Sequence, residues 1–85
     1  MATASPAPTP NPNAMRFQLD VTLPATINFK NAGDAREHPF ARAVFEADGV
    51  AAVFGVNDFV TVTRVPGADW DAIVAAVQSA AAEHL

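Results

Sequence analysis

The sequence predicts an α+β domain of two layers, ββαββα, with a four-stranded antiparallel sheet and two helices packed on one face. Three observations predict it. Apolar Met15, Phe17, Leu19 and Val21 alternate with Arg16, Gln18, Asp20 and Thr22, and Ile27 and Phe29 alternate with Thr26, Asn28 and Lys30; a two-residue period marks a half-buried strand. Segments 50–56 and 59–65 are rich in β-branched and aromatic residues and flank Asn57-Asp58, a pair that tolerates the positive φ of a tight hairpin. Phe40, Val44 and Ala47, then Trp70, Ile73, Val74, Val77 and Ala81, recur at helical spacing.

Taken in order, residues 1–8 read as a disordered Pro/Ala-rich tail and residues 9–85 as one domain. Pro6, Pro8, Pro10 and Pro12 stand among Ala, Ser and Thr, so the leader lacks backbone donors and has no face to bury. The first two strands, separated by Leu23-Pro24-Ala25, are expected to pair as an antiparallel hairpin. Asn31-Ala32-Gly33-Asp34 is loop chemistry. Pro39 suits the first helical turn, where its missing N–H is no loss, and Gly49 is expected as the left-handed C′ stop, with Val50 folding back onto Phe45. In the second hairpin Gly55 is the candidate bulge, which leaves the facing of Val53 and Phe54 open. Pro66-Gly67 turns the chain, and Asp69 caps the final helix. Trp70 opens that helix's apolar stripe and is expected in the core.

Composition excludes several function classes. The chain has 85 residues, 51% hydrophobic and 16% charged, with a formal net charge of −4. That supports one modest core and disfavours nucleic acid as a partner, because phosphate neutralisation needs massed cations and Arg16, Lys30, Arg36, Arg42 and Arg64 are scattered. The apolar run at 50–54 is far too short to span a bilayer, and the first eight residues lack a cationic and apolar leader; a cytoplasmic location is expected. With zero cysteine, thiolate catalysis and thiolate metal ligation are unavailable. His38 before Pro39 and His84 near the end read as capping or surface groups. Ser5 and Ser79 have no nucleophile elbow. Asp69 and Asp71 complement the dipole of the final helix, and Glu46 and Asp48 are no more than an adventitious iron site. The chain is therefore expected to be no enzyme, with no catalytic, metal or cofactor-binding residues and no cofactor.

Three segments together carry a family resemblance. Thr9-Pro10-Asn11-Pro12-Asn13-Ala14-Met15-Arg16-Phe17 resembles the opening of the Nfu/NifU N-terminal domain of iron–sulfur cluster scaffold proteins. Residues 38–50, a Pro-led helix closing on Asp48-Gly49-Val50, look like that family's helix-to-strand segment. Asn57-Asp58-Phe59-Val60-Thr61-Val62-Thr63, followed by Asp69-Trp70, looks like its Asp-Phe-(Ile/Val)-Thr-Val-Thr strand. In the larger family members this domain precedes one whose Cys-x-x-Cys pair binds the cluster, and the present sequence is read as standing alone without it. The resemblance implies a two-layer α/β fold and a non-catalytic accessory module of cluster assembly, docking onto a separate Cys-x-x-Cys scaffold domain or an acceptor protein. Asn11, Pro12, Asn13, Arg16, Asp58 and Phe59 are the expected partner-binding residues, although Asx turns explain the two asparagines structurally as well. A homodimer formed by edge-strand pairing is a further expectation, with Pro24, Lys30 and Gly55 as partial protection. The alternative function is a small-molecule-binding or regulatory domain that shares the fold but not the pathway; it requires a concave apolar pocket.

Overall fold

Alternation along each strand sends one set of side chains into a shared core. The computed structural model describes residues 2–85 and contains β1 (Ala4–Pro8), β2 (Ala14–Leu19), β3 (Ile27–Phe29), α1 (Pro39–Phe45), β4 (Val50–Val56), β5 (Phe59–Arg64) and α2 (Trp70–His84). The five strands form one sheet in the order β1-β2-β5-β4-β3, and every neighbouring pair is antiparallel. Phe17 faces Val60, Val60 faces Gly55, and Gly55 faces Ile27, making one row across the core side; Met15, Val62, Val53 and Phe29 make the next. Phe40 and Val44 of α1 and Ile73 and Val77 of α2 pack into the same buried cluster as these rows. At roughly 25 cal/mol per Å² of apolar surface, this one-sided burial is what holds the two helices on the sheet.

The α+β class and the two helices agree with the sequence reading; the strand count and pairing differ. Residues 4–8, expected to be a solvated leader, form β1, with Ala4 opposite Leu19 and Pro8 opposite Met15. Ala2 and Ala4 are buried in the core cluster. Prolines are admissible there because β1 is an edge. Pro cannot donate, so Ser5 and Ala7 supply the N–H groups facing β2, while the outward donor positions are held by Pro6 and Pro8. The same placement blunts this edge against a second copy. The other edge is β3, which is only three residues long; Gly55, expected to guard an edge, lies in the interior strand β4.

The expected first hairpin is absent: β2 and β3 stand on opposite sides of the β4–β5 hairpin. After Leu19 the chain crosses the tip of that hairpin, where Leu19 N donates to Asp58 O (2.8 Å) and Leu23 N donates to Asn57 O (2.6 Å). Pairing with non-local strands gives β2 a partner on each side, β1 and β5, and gives β3 the free side of β4. The β4–β5 hairpin itself is as expected, with Val56 opposite Phe59 and Asn57 at φ 54°.

Two local assignments are corrected. Helix α1 ends at Phe45, and its last turn tightens, Glu46 N donating to Ala43 O and Ala47 N to Val44 O. Gly49 (φ 91°) lies beyond this stop and instead aims the chain into β4, where its carbonyl accepts from Val65 N at 2.7 Å. The irregularity in β4 falls between Val50 and Ala52 and not at Gly55. Gly55 stays in register; a Cβ there would lie 2.8 Å from Leu23 Cδ1 and 2.9 Å from Ile27 Cγ1. Its bare backbone is the seat for those two side chains.

Candidate functional site

The second face of the sheet carries no helix. Strand register places Ala7, Arg16, Thr61, Phe54 and Asn28 in one row across it, and Ser5, Gln18, Phe59 and Val56 in the row beside. Arg16 is the one charged residue in these two rows, and its guanidinium lies over the Phe59 ring at 4.0 Å from the centroid. That contact holds a long cationic side chain flat on an aromatic surface. Phe54 next to them is 38% exposed. Aromatic residues, one arginine and few other charges are the composition of a protein-binding surface core.

The remaining expected partner-binding residues flank this face at opposite ends. From Asn13 to Leu19 is six steps along β2, about 20 Å at 3.4 Å per residue, so the Asn11-Pro12-Asn13 turn and Asp58 do not meet. The turn is knotted into the fold by its own polar atoms. Asn13 N donates to Asn11 Oδ1 (2.9 Å), an Asx turn, and the Thr9 hydroxyl lies 2.9 Å from the carbonyls of Asn11 and Ala14. Arg64 Nε donates to Asn13 Oδ1 (3.3 Å) and its Nη1 to Ala68 O (2.7 Å). Trp70 Nε1 donates to Pro12 O (3.3 Å), and the Arg64 guanidinium stands 5.1 Å from the Trp70 ring centroid. Trp70, expected in the core, is thus only half-buried and clasps the β1–β2 turn to the start of α2. At the other end, the Asp58 carbonyl accepts from Gln18 Nε2 (2.9 Å) as well as from Leu19 N.

Phe54, Val56, Thr61, Arg64 and Trp70 join these surfaces without having been named from sequence as contact residues. The missing signal for Phe54 was parity: Val53 is fully buried and Phe54 is not, as strict alternation requires once Gly55 is in register.

A second concavity lies at the edge between the layers. The β2–β3 connection, the start of α1 and the end of α2 line a half-open cleft of about 460 Å³ whose walls include Leu23, Ile27, Phe40, His38, His84 and Leu85. His38 is the N-cap of α1, its Nδ1 accepting from Ala41 N at 3.2 Å. Its ring packs against Phe29 and Phe40, with centroids 5.4 and 6.4 Å away. Burial lowers its pKa below the ordinary 6.5, and a backbone hydrogen bond opposes this only in part. His84 Nε2 lies 3.8 Å from Glu83 Oε2. Among the described residues no three His, Cys, Asp or Glu side chains converge on one point, and no helix is long and apolar enough to cross a membrane.

The family described as scaffold protein Nfu/NifU N terminal matches this chain over residues 5–85. The chain belongs to that family. The matched span includes residues 5–8 of β1. The domain is 40% identical over 65 residues to NifU-like protein 5, mitochondrial, of Arabidopsis thaliana, covering 74% of this chain and 24% of that protein. It is 38% identical over 82 residues to a NifU-like protein of Schizosaccharomyces pombe, covering 91% of this chain and 31% of that one. With the NFU1 iron-sulfur cluster scaffold homolog, mitochondrial, of Drosophila erecta it shares 37% over 68 residues, 76% of this chain and 24% of the relative. The chain thus spans about a quarter to a third of the relatives it matches. Its fold is similar to the crystal structure of protein SAV1430 from Staphylococcus aureus, with a TM-score of 0.79 at 24% identity over 94% of this chain and 98% of that one.

Proposed function

We propose that this Nfu/NifU N-terminal domain is a non-catalytic interaction module of iron–sulfur cluster assembly. It docks through the uncovered sheet face onto a separate cysteine-bearing scaffold domain or onto an acceptor protein. The observation that carries the reading is the open face itself, where Arg16 lies flat on Phe59 beside exposed Phe54. The relatives supply the pathway: their names speak of iron–sulfur cluster scaffolds. The sequence contains no cysteine, so thiolate ligands for a cluster come from the partner, and this domain contributes position. Orienting two proteins for transfer needs a rigid surface, which a sheet backed by a filled core provides.

The test is an NMR titration of the labelled chain with a Cys-x-x-Cys scaffold domain, apo and cluster-loaded. Shifts are expected at Arg16, Phe54, Phe59 and Thr61, and Phe54→Ser together with Arg16→Glu abolishes them while the spectrum stays folded. No shifts in either state, or shifts confined to the helical layer, overturn the reading. Assembly of a stable cluster on this chain alone does so as well.

A further inference from the structure

The concavity at the layer edge has features the docking face does not explain. Its walls are mostly apolar, with Thr22, His38 and His84 as the polar side chains, and they come from three separate parts of the fold. Leu23 and Ile27 are seated against the bare backbone of Gly55, so this wall is fixed by the sheet and is not a loop free to collapse. A volume of about 460 Å³ lies within the usual range for small-molecule sites, about 300–1,000 Å³. We propose that this pocket binds a small neutral molecule with an apolar body and one hydrogen-bonding oxygen, held by the imidazoles of His38 and His84.

The polar chemistry selects the ligand class. Nδ1 of His38 accepts the helix-capping bond from Ala41 N, which leaves Nε2–H as the donor of its neutral ring. An oxygen acceptor on the ligand satisfies that donor. A carboxylate is the poorer choice, because Glu83 lies beside His84 and the chain carries a net charge of −4; both oppose an anion. A pure hydrocarbon would leave the imidazole N–H without a partner as it closed the pocket to water. A neutral alcohol, phenol or ketone meets all three conditions. Its lining residues lie on the β2–β3 connection, at the start of α1 and at the end of α2, and none belongs to the two rows of the uncovered sheet face, so this site is distinct from the docking face.

The experiment uses three probes with one body and different heads: para-ethylphenol, ethylbenzene and para-ethylbenzoate, each titrated into the isotopically labelled full chain. The phenol is expected to shift the amides of residues 21–27, 38–40 and 84–85 and both imidazole spin systems. The hydrocarbon and the carboxylate are expected to bind roughly tenfold more weakly, the size of one good hydrogen bond. His38→Asn keeps a capping side chain, and His84→Gln sits in the last turn of α2; each is expected to weaken the phenol roughly tenfold with little change in melting temperature. Absence of localised shifts at millimolar phenol, equal binding of the hydrocarbon, preference for the carboxylate, or unchanged binding by both folded variants overturns the proposal.

Discussion

Gly49→Ala separates backbone conformation from packing at a single point. Gly49 has φ +91°, and a Cβ added there would stand 2.3 Å from the Cβ of Ala68. Forcing an L-residue into this region costs roughly 1–2 kcal/mol. Carbon atoms prefer about 3.5–4.0 Å, so the turn carrying Ala68 must also retreat by more than an ångström. Backbone displacement of that kind adds roughly 1–3 kcal/mol, for a total of about 2–5 kcal/mol. A chain of this length has about 4–13 kcal/mol in all, at 0.05–0.15 kcal/mol per residue. Gly67 supplies the control: its φ is +88° but nothing lies within 4 Å of the added carbon, so Gly67→Ala should cost only the conformational part. Removing Ala68 Cβ leaves its Cα at 3.6 Å, ordinary contact, so Ala68→Gly should restore the packing part in the Gly49→Ala background. Urea unfolding followed by circular dichroism and by the fluorescence of Trp70 measures the wild type, Gly49→Ala, Gly67→Ala, Ala68→Gly and the Gly49→Ala/Ala68→Gly pair. Equal costs for the two alanine variants, or no coupling between positions 49 and 68 in the cycle, refute the close approach and with it the seating of the 65–68 turn on the start of β4.

Three further perturbations address other parts of the structure. Ala4→Asp places a charge at a site 5% exposed in β1 and should destabilise by roughly 2–4 kcal/mol in urea unfolding; a solvated leader would tolerate it without effect. His38 has a folded pKa below its ordinary 6.5, so its contribution to stability is fully present above pH 6.5. It is lost progressively as the pH falls from there through the folded value. His38→Asn, which caps at every pH, should flatten the part of the melting-temperature profile due to this residue. Trp70→Phe removes the bond from Nε1 to Pro12 O and should cost about 0.5–1.5 kcal/mol, with amide shifts appearing across the β1–β2 turn in the NMR spectrum.

Element identity was largely legible because it rests on local chemistry. The period along β2, the Asn57-Asp58 turn, Pro39 at the start of α1 and Asp69 at the cap of α2 each act within a few residues, and all are where the pattern puts them. The candidate site was legible in pieces: Arg16 and Phe59 do lie together, while the Asn11-Pro12-Asn13 turn and Asp58 stand at opposite ends of β2. Hydrophobic pattern is silent on such distances, because Arg16 and Phe59 become neighbours only through the β2–β5 register.

The amino-acid sequence by itself determined the α+β class, the two helices, the central hairpin, the absence of thiolate chemistry and the family. Tertiary structure alone decided the strand order, the fifth strand and the faces. Strand β1 has no alternating signature, since Ala and Pro carry little apolar surface. It forms because β2 has an unpaired side and the core has room for the methyl groups of Ala2 and Ala4. Strand β3 leaves β2 because the β4–β5 hairpin offers it Val53–Gly55 as partners, with Gly55 open to Leu23 and Ile27. Pairing of that kind depends on which backbone edges remain free after the rest of the sheet has formed, a property of the assembled fold and not of any one segment.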